Sequence, residues 1–549
     1  MPFQSSSLRK VLKVSSVNLG FKSYNDKLAI VENFGRFLNS LTHPIQIVSD
    51  TKLINPDEWL LKMPDQDYYE FLKDLVNSSN VSEKIFYIAY TAQDESELKI
   101  ITDALRSGIK RCRLLAEEVE PEISQSIPVL KPGHVKVGDW YNHTLIVKNW
   151  PHSCVSGWLE NLYNLDKNIT LSMFIEPQNK QDSIKYISKR LARLQSNSII
   201  KDKENKTNGE EDESIATGLN MREELMRNEG NFFFVSYYIT VKAKSLEQLK
   251  RDTKFVKTIL NGMMIETSKA TLRHDDGYRC SLPLMQNNLR SKAAYTFTTT
   301  PLKRFFPFMS ANIVDKGGIM IGSNLLNNSL IFLDHFSYST ASMVVIGKTG
   351  SGKSFTVKAQ IDKLVKQGVE VTVLDIEKEF DRMQKHKNLI VKHFGTKVEQ
   401  YKQFLFDYWE EVNNGPKKPR FLVIDEFWSY KKDPEIADLL QKMAKLGRKR
   451  WLGICPITQE VNDMLSDEFS KSLINNSSIK IILQIDPNQR KLVQETFGLT
   501  DSEVSFLIGA SEGEGILFAG TNHVQFKTIV SDKQYAQITT KPQELYQVS

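Results

Sequence analysis

The chain has 549 residues, of which 40% are hydrophobic and 25% charged, and its formal net charge is +6. A chain of this length is too long to form a single hydrophobic core, so two or three domains are expected. Its composition is that of an ordinary globular protein. The mild positive charge permits contact with nucleic acid or an anionic membrane but argues for neither. Four scattered cysteines without a CxxC pair indicate a reducing compartment and exclude a structural zinc site. The sequence shows no apolar run of ~18 residues and no apolar signal core, which predicts a protein that faces the cytoplasm or sits on a membrane through partners.

The first 300 residues predict a mixed α/β region of two subdomains, 1–130 and 131–300. Strand patterns are "PIQIVS" and "EKIFYIAYTA" in the first, and "NHTLIVKNW", "NITLSMFIE" and "NFFFVSYYITVKA" in the second. Ser245 and Gln248 fit a capping box that would open a helix. No short motif in this region carries a mechanism of its own.

A polar and highly charged stretch near 196–218 predicts a disordered, exposed insertion in the second subdomain. Threonines and prolines at "TFTTTPLKRFFPFMS" then mark a boundary, after which 301–549 forms the third predicted domain.

The stretch "VVIGKTGSGKSFTVK" matches the phosphate-loop pattern G-x-x-x-x-G-K-[ST] between a predicted strand and a predicted helix. Backbone N–H groups of such a loop turn toward an anion at the positive end of the helix. Lys353 would reach the β- and γ-phosphates of ATP, and Ser354 would ligate Mg²⁺. The alternative is a chance match on a turn that binds nothing. The predicted nucleotide-binding residues are Gly347, Lys348, Thr349, Gly350, Ser351, Gly352, Lys353, Ser354 and Phe355.

Two further strand patterns end in acidic residues. "VEVTVLDIEKEF" runs into Asp375, Glu377 and Glu379, for which a solvated helix start and a catalytic role both remain open. "PRFLVIDEFW" reads as a buried strand that ends at Asp425 and Glu426. Asp425 would hold Mg²⁺, and Glu426 would orient and deprotonate the attacking water, unless both are merely solvated acids.

The stretch "GRKRWLGICPITQE" supplies a basic cluster and then a strand that ends at Gln459. Gln459 is either a sensor of the γ-phosphate or a surface amide. The alternation of strands and helices from residue 343 onward predicts an α/β fold with a mostly parallel sheet covered on both faces.

Four stretches of the last domain resemble a known family: "PFMSANIVDKGGIMIGSNLLNNSLIFLDHF", "LDIEKEF", "GRKRWLGICPITQEVNDM" and "LINNSSIKIILQ" with "EGEGILFAG" after it. Together with "LIVKNWPHSCVSGWLENLY" in the N-terminal half, they are similar to the cytoplasmic motor ATPases of conjugative type IV secretion. These VirB-type and TraE-type proteins are related to the HerA–FtsK pumps.

This resemblance implies a RecA-like P-loop motor domain that hydrolyses ATP with Mg²⁺ and works as an oligomer, expected to be a hexamer. It implies partners among the channel proteins, a peripheral place at the inner face of the bacterial cell membrane, and a role in building the channel or moving substrate through it. Arg448, or else Arg450 or Arg490, would complete a neighbouring subunit's site, unless the basic cluster is only a solvated helix end. The helical lid that family members commonly insert between Asp375 and Asp425 is shortened here.

Two other functions stay open from the sequence. A DNA translocase or coupling protein would grip the transferred strand, and stretches such as "RSGIKRCRLL" and "KRLARLQ" would then touch phosphates rather than form solvated helix faces. A catalytically idle scaffold is disfavoured by the intact Lys353, Asp425 and Glu426.

Overall fold

The computed structural model describes residues 8–19, 24–53, 66–79, 82–151, 153–165, 167–203, 209–384, 386–394, 398–430, 433–459, 461–465, 468–520 and 522–539. The chain divides into two compact units. Unit 1 comprises Met1–Lys52 and Lys84–Ser310, and unit 2 comprises Leu53–Glu83 and Ala311–Ser549.

Unit 1 is built on a sheet of eleven strands in the described part of the chain. Its strands are β1 Leu8–Val14, β2 Ile45–Leu53, β3 Ser82–Ala92, β4 Ala116–Glu118, β5 Val129–Lys131, β6 His134–Val137, β7 Trp140–Asn149, β8 Ile169–Gln178, β9 Phe232–Ala243, β10 Glu266–Lys269 and β11 Tyr295–Thr298. Their order is β4-β1-β3-β2-β8-β9-β7-β6-β5, with β10 beside β7 and β11 beside β9. Because β2 pairs with β8, strands on both sides of the boundary predicted at residue 130 share one sheet and one buried apolar cluster.

Helices accompany the sheet of unit 1. They are Tyr24–Asn39, Glu95–Arg111, Glu160–Tyr163, Lys180–Lys203, Gly209–Met226, Leu246–Gly262, His274–Ser281, Arg290–Ala293 and Thr299–Leu302, and a 3-10 turn follows at Lys303–Phe305. The Ser245 hydroxyl accepts a hydrogen bond from the N–H of Gln248, as predicted for a helix start.

The stretch 196–218, predicted to be disordered, is helical wherever the structure describes it; residues 204–208 lie outside the described part. The reason is a small apolar cluster in which Leu191, Leu225 and Phe232 are buried and Ile215 packs against them. The described parts of this stretch therefore belong to two helices rather than to an unstructured loop.

Unit 2 contains a ten-stranded sheet among its described residues. Its strands are β12 Ile319–Asn324, β13 Leu330–Leu333, β14 Met343–Ile346, β15 Glu370–Leu374, β16 Leu389–Lys392, β17 Arg420–Ile424, β18 Leu452–Thr458, β19 Ile479–Leu483, β20 Glu514–Ala519 and β21 Asn522–Thr528. The order is β13-β12-β21-β20-β19-β14-β18-β17-β15-β16. Six neighbouring strands run parallel to one another: β19, β14, β18, β17, β15 and β16. The remaining strands, β20, β21, β12 and β13, extend the sheet beyond β19 through antiparallel pairings. The predicted α/β fold with a mostly parallel sheet is confirmed.

Helices cover both faces of this sheet. They are Lys353–Lys366, Val398–Asn414, Phe427–Tyr430, Pro434–Leu446, Val461–Leu465, Glu468–Asn476, Arg490–Phe497, Asp501–Gly509 and Asp532–Ile538, with 3-10 turns at His335–Ser337, Asp381–Met383, Gly447–Arg450 and Pro487–Gln489. Successive residues of β14 point to opposite faces, so Val345 joins one buried cluster and Val344 the other. The parallel strands are thus buried on both faces, as their unbroken apolar sequences indicate.

A helix from the N-terminal half of the sequence belongs to unit 2. The helix Gln66–Ser79 buries Tyr68 and Leu72 against Met320, Leu330 and Phe332 of β12 and β13. Among the described residues, no helix is long and apolar enough to span a membrane.

Candidate functional site

Three adjacent parallel strands end side by side and bring the predicted site residues together. Strand β18 lies between β14 and β17, with Thr458 opposite Ile346 and Pro456 opposite Ile424. The phosphate loop follows β14, Gln459 follows β18, and Asp425 follows β17. All three therefore meet at the carboxyl edge of the sheet, where open α/β sheets bind ligands.

The phosphate loop leaves the first turn of its helix open to an anion. Gly352 is the N-cap of the helix Lys353–Lys366 and supplies no capping side chain, so the first N–H groups are available to phosphate oxygens. Its φ is +89°, and a Cβ atom there would lie 2.8 Å from the backbone nitrogen of Gly513. Only glycine fits this position without strain.

The side chain of Lys353 is hydrogen-bonded to the phosphate loop. Its Nζ donates a hydrogen bond to the carbonyl oxygen of Lys348 over 3.2 Å, and the residue is 9% exposed. Burial lowers the pKa of Lys353, while the nearby carboxylates of Glu426 and Asp425 oppose this effect. The ammonium group is thus bonded to the loop and influenced by the charges of the two acids that follow β17.

The remaining loop residues divide into exposed and packed positions. Thr349 and Gly350 are exposed, whereas Ser351 is fully buried. Phe355 packs its ring edge-on against Tyr535, 5.7 Å between centroids. Ser354 is half-buried on the first turn of the helix.

Asp425 lies in a cluster of carboxylates. The residue is 5% exposed, and burial together with the charges of Glu379, Glu426 and Asp375 raises the pKa of Asp425 to about 7. A group in such surroundings favours either a proton or a cation. A cation bound at Asp425, the residue predicted to hold Mg²⁺, would therefore offset the negative charge crowded there.

Lys358 is a further charged member of this cluster that the sequence reading missed. It is 1% exposed, its Nζ lies 3.4 Å from an Oε2 of Glu379, and it stands over the ring of Phe380. Burial lowers the pKa of Lys358, and Glu379 opposes the shift. The available signal was a lysine between the buried apolar residues Val357 and Ala359, since lysine is almost never fully buried without a partner.

The acidic segment after β15 is a bend rather than the start of an α-helix, which corrects one of the two readings left open by the sequence. His393 donates from Nδ1 to the carbonyl oxygen of Asp375 over 2.9 Å and meets Asp381 Oδ1 through Nε2 at 2.5 Å. The Asp375 carboxylate accepts the N–H of Phe380 over 2.9 Å. These bonds fix the segment that carries Glu379, while Glu377 is exposed.

Glu426 and Gln459 are in direct contact. The Nε2 of Gln459 donates to Oε1 of Glu426 over 2.7 Å, and the hydroxyl of Thr349 donates to Oε1 of Gln459 over 2.7 Å. Glu426 has a φ of +48°, which is unusual for a residue other than glycine. Hydrogen bonds thus join Thr349, Gln459 and Glu426, which come after the strands β14, β18 and β17.

Arg448 and Arg450, two of the arginines predicted to act between subunits, lie away from this edge. Arg448 and Arg450 form a 3-10 turn just before Leu452, at the amino end of β18, whereas Gln459 follows its carboxyl end. Seven strand residues span about 20 Å, so neither arginine reaches the site of its own chain. Arg490 is engaged locally, 3.1 Å from Ser505 Oγ and 3.5 Å from Asp501 Oδ1.

A phosphate loop, an acidic strand end and a parallel sheet define the class of protein: unit 2 is a P-loop ATPase. Residues 412–549 match the family model described as the TraG P-loop domain, and residues 319–410 match that of the central domain of the helicase HerA. These matches confirm the predicted relationship with the motor ATPases of conjugative transfer and with the HerA pumps. None of the curated proteins compared with the chain matches it.

Solved structures with a similar arrangement include VirB4 of Thermoanaerobacter pseudethanolicus, 16% identical over 41% of this chain and 100% of that one, with a TM-score of 0.38. The pCW3 conjugation coupling protein TcpA is 17% identical over 43% of this chain and 72% of its own, with a TM-score of 0.28. The DNA-packaging ATPase B204 of Sulfolobus Turreted Icosahedral Virus is 15% identical over 34% and 97%, with a TM-score of 0.29. At such low scores the assignment depends on the two family matches.

Proposed function

We propose that this chain is the ATP-hydrolysing motor that energises a bacterial conjugative type IV secretion channel, by driving its assembly or the passage of substrate through it. The observation that carries the proposal is the placement of Lys353, Asp425, Glu426 and Gln459 at one sheet edge, within residues that match the TraG and HerA models.

Each of these residues has a defined task in phosphoryl transfer. Lys353 and the first N–H groups of its helix hold the β- and γ-phosphates. Glu426 orients a water molecule and accepts its proton, and the Gln459 amide senses the γ-phosphate or that water. Because such reactions need little covalent chemistry from the protein, positioning and charge supply most of the rate.

Ser354 and Asp425 are the residues that would hold Mg²⁺. A hydroxyl and a carboxylate are the hard oxygen ligands that this ion prefers, and the crowding of carboxylates that raises the pKa of Asp425 fits a cation there. When bound with ATP, the ion would neutralise charge on the β- and γ-phosphate oxygens.

The oligomer belongs to the same proposal. Arg448 is exposed and lies at the opposite sheet edge from the site. We infer that it completes the site of a second copy of the chain in a ring, expected to be a hexamer. The ring would lie in the cytoplasm against the inner face of the membrane, held there by channel proteins that bind through unit 1.

A coupling protein that pumps DNA is the second candidate, because residues 319–410 match the central domain of a helicase. A steep loss of DNA affinity with rising salt would favour this reading, since phosphate contacts release counterions. ATPase activity that responds to channel proteins and not to DNA would favour the first.

The test is steady-state ATP hydrolysis by the wild type, by Glu426→Gln and by Glu410→Gln, which changes an exposed carboxylate on the helix Val398–Asn414. We expect the wild type and Glu410→Gln to hydrolyse ATP and Glu426→Gln to lose activity while still binding ATP. The oligomer mass is measured in the same buffers with and without ATP. A wild type that is inactive at every concentration and oligomeric state would refute the motor reading for the isolated protein.

A further inference from the structure

A short hydrogen-bond chain joins the phosphate loop to Glu426, the proposed general base. It runs from the Thr349 hydroxyl to Oε1 of Gln459, and from Nε2 of Gln459 to Oε1 of Glu426, each over 2.7 Å. The sheet order explains the chain, because β18, which carries Gln459, lies between the strands that carry the other two residues. We call these residues the Thr-Gln-Glu relay.

The chemistry of the relay fixes the direction of its bonds. An ionised carboxylate only accepts hydrogen bonds, so the amide must turn its NH₂ group toward Glu426. The carbonyl oxygen of Gln459 then faces Thr349, and a carbonyl only accepts, so the hydroxyl of Thr349 must donate. Removing that hydroxyl would take away the donor to the Gln459 carbonyl oxygen, so that of these two bonds only the one to Glu426 would still orient the amide.

Contacts are needed to hold Glu426 in place because its backbone conformation is unfavourable. Its φ of +48° lies in the left-handed region, which costs a residue other than glycine roughly 1–3 kcal/mol and persists where surrounding contacts enforce it. One carboxylate oxygen is engaged by the amide of Gln459, which orients the carboxylate relative to the phosphate loop.

We propose that Thr349 is a positioning residue for hydrolysis: through Gln459 it fixes the orientation of the Glu426 carboxylate. In this reading the threonine side chain contributes to the chemical step rather than to ATP affinity, unlike the backbone of the loop around it. The inference rests on the proposed ATPase function and assigns a role within the same site.

The experiment compares Thr349→Val, which keeps the shape and removes the hydroxyl, with Thr349→Ser, which keeps the hydroxyl. Thr349 is exposed, so neither change removes core packing. The full chain is used, with kcat and KM from steady-state hydrolysis and Kd from a fluorescent ATP analogue with Mg²⁺. Correct placement of a general base is worth 10²–10⁴ in rate, so we expect Thr349→Val to lower kcat by about tenfold or more. We expect the Kd to change by less than about threefold, and Thr349→Ser to stay within about threefold of the wild type.

A double variant separates the relay from two independent contacts. If Thr349 acts through Gln459, Thr349→Val combined with Gln459→Ala should hydrolyse ATP no more slowly than Gln459→Ala alone. Multiplicative losses would overturn the relay, and so would a Kd that weakens as much as kcat falls, because either result would mean that Thr349 acts on its own.

The failure of this inference is distinguishable from that of the proposed function. Loss of activity in Glu426→Gln together with wild-type kcat in Thr349→Val would refute the relay and leave the motor intact. Equal activity of the wild type and Glu426→Gln would refute the ATPase site itself.

Discussion

Lys363 permits a quantitative prediction about pH and stability. It is fully buried on the helix that follows the phosphate loop, and burial lowers its pKa from 10.5 to about 7. Its Nζ donates to the carbonyl oxygens of Met320 and Ile529, over 2.7 and 3.2 Å. A neutral amine has two hydrogens for these two acceptors, so the fold suits the uncharged form.

The sign follows from proton linkage. Between pH 7 and 10.5 the unfolded chain carries a proton on Lys363 that the folded protein lacks, so the free energy of unfolding rises with pH in this range. One proton corresponds to about 1.4 kcal/mol per pH unit, which gives about 2 to 3 kcal/mol between pH 8 and pH 10. Lys363→Met removes this contribution and should flatten the dependence.

Hydrogen exchange of amides in the helix Lys353–Lys366 is the suitable assay, because it reports on unit 2 alone. The protection free energy is compared between wild type and Lys363→Met from pH 8 to pH 10, with the exposed Lys471→Met as control. A difference between wild type and Lys363→Met that stays constant across this range would refute a neutral Lys363 in the fold.

Three further outcomes are expected. Arg448→Ala should lower kcat by about 10³ or more, and mixing it with Glu426→Gln should restore activity, because one junction of the mixed ring then has both groups; no recovery on mixing would contradict action between subunits. Gly352→Ala should abolish ATP binding in a fluorescence titration while far-ultraviolet circular dichroism stays unchanged, since its Cβ would meet Gly513 at 2.8 Å; normal affinity would contradict the described loop. Because the pKa of Asp425 is about 7, the Mg²⁺ concentration for half-maximal hydrolysis should rise about tenfold per pH unit below 7; a flat profile from pH 6 to 8 would contradict this.

The parts of the site that the sequence predicted are those defined by local patterns. The phosphate loop and the strand before Asp425 each lie within a dozen consecutive residues, and an apolar run followed by glycines or acids reveals them without knowledge of the fold. Gln459 was predicted as a strand end, but its contact with Thr349 depends on strand order, which no local pattern contains.

Long-range pairing also explains what the sequence reading missed. Lys358 has its partner Glu379 in another element, so its burial was not visible from the helix alone. The stretch 196–218 has a polar composition, and its Ile215 gains packing only when two helices lie side by side. Strands β12, β13, β20 and β21 extend the parallel core through antiparallel pairings between distant segments.

The position of the helix Gln66–Ser79 in unit 2 has a consequence for recombination between related genes. A single recombination crossover near codon 311 would import a foreign segment 311–549 and leave the resident segment 53–83 in place. Met320, Leu330 and Phe332 would then be covered by a helix selected against a different sheet. Poorly matched packing in a dense core costs roughly 1–3 kcal/mol. The two segments are therefore expected to be inherited together, and Tyr68 and Leu72 to covary with the strands they cover.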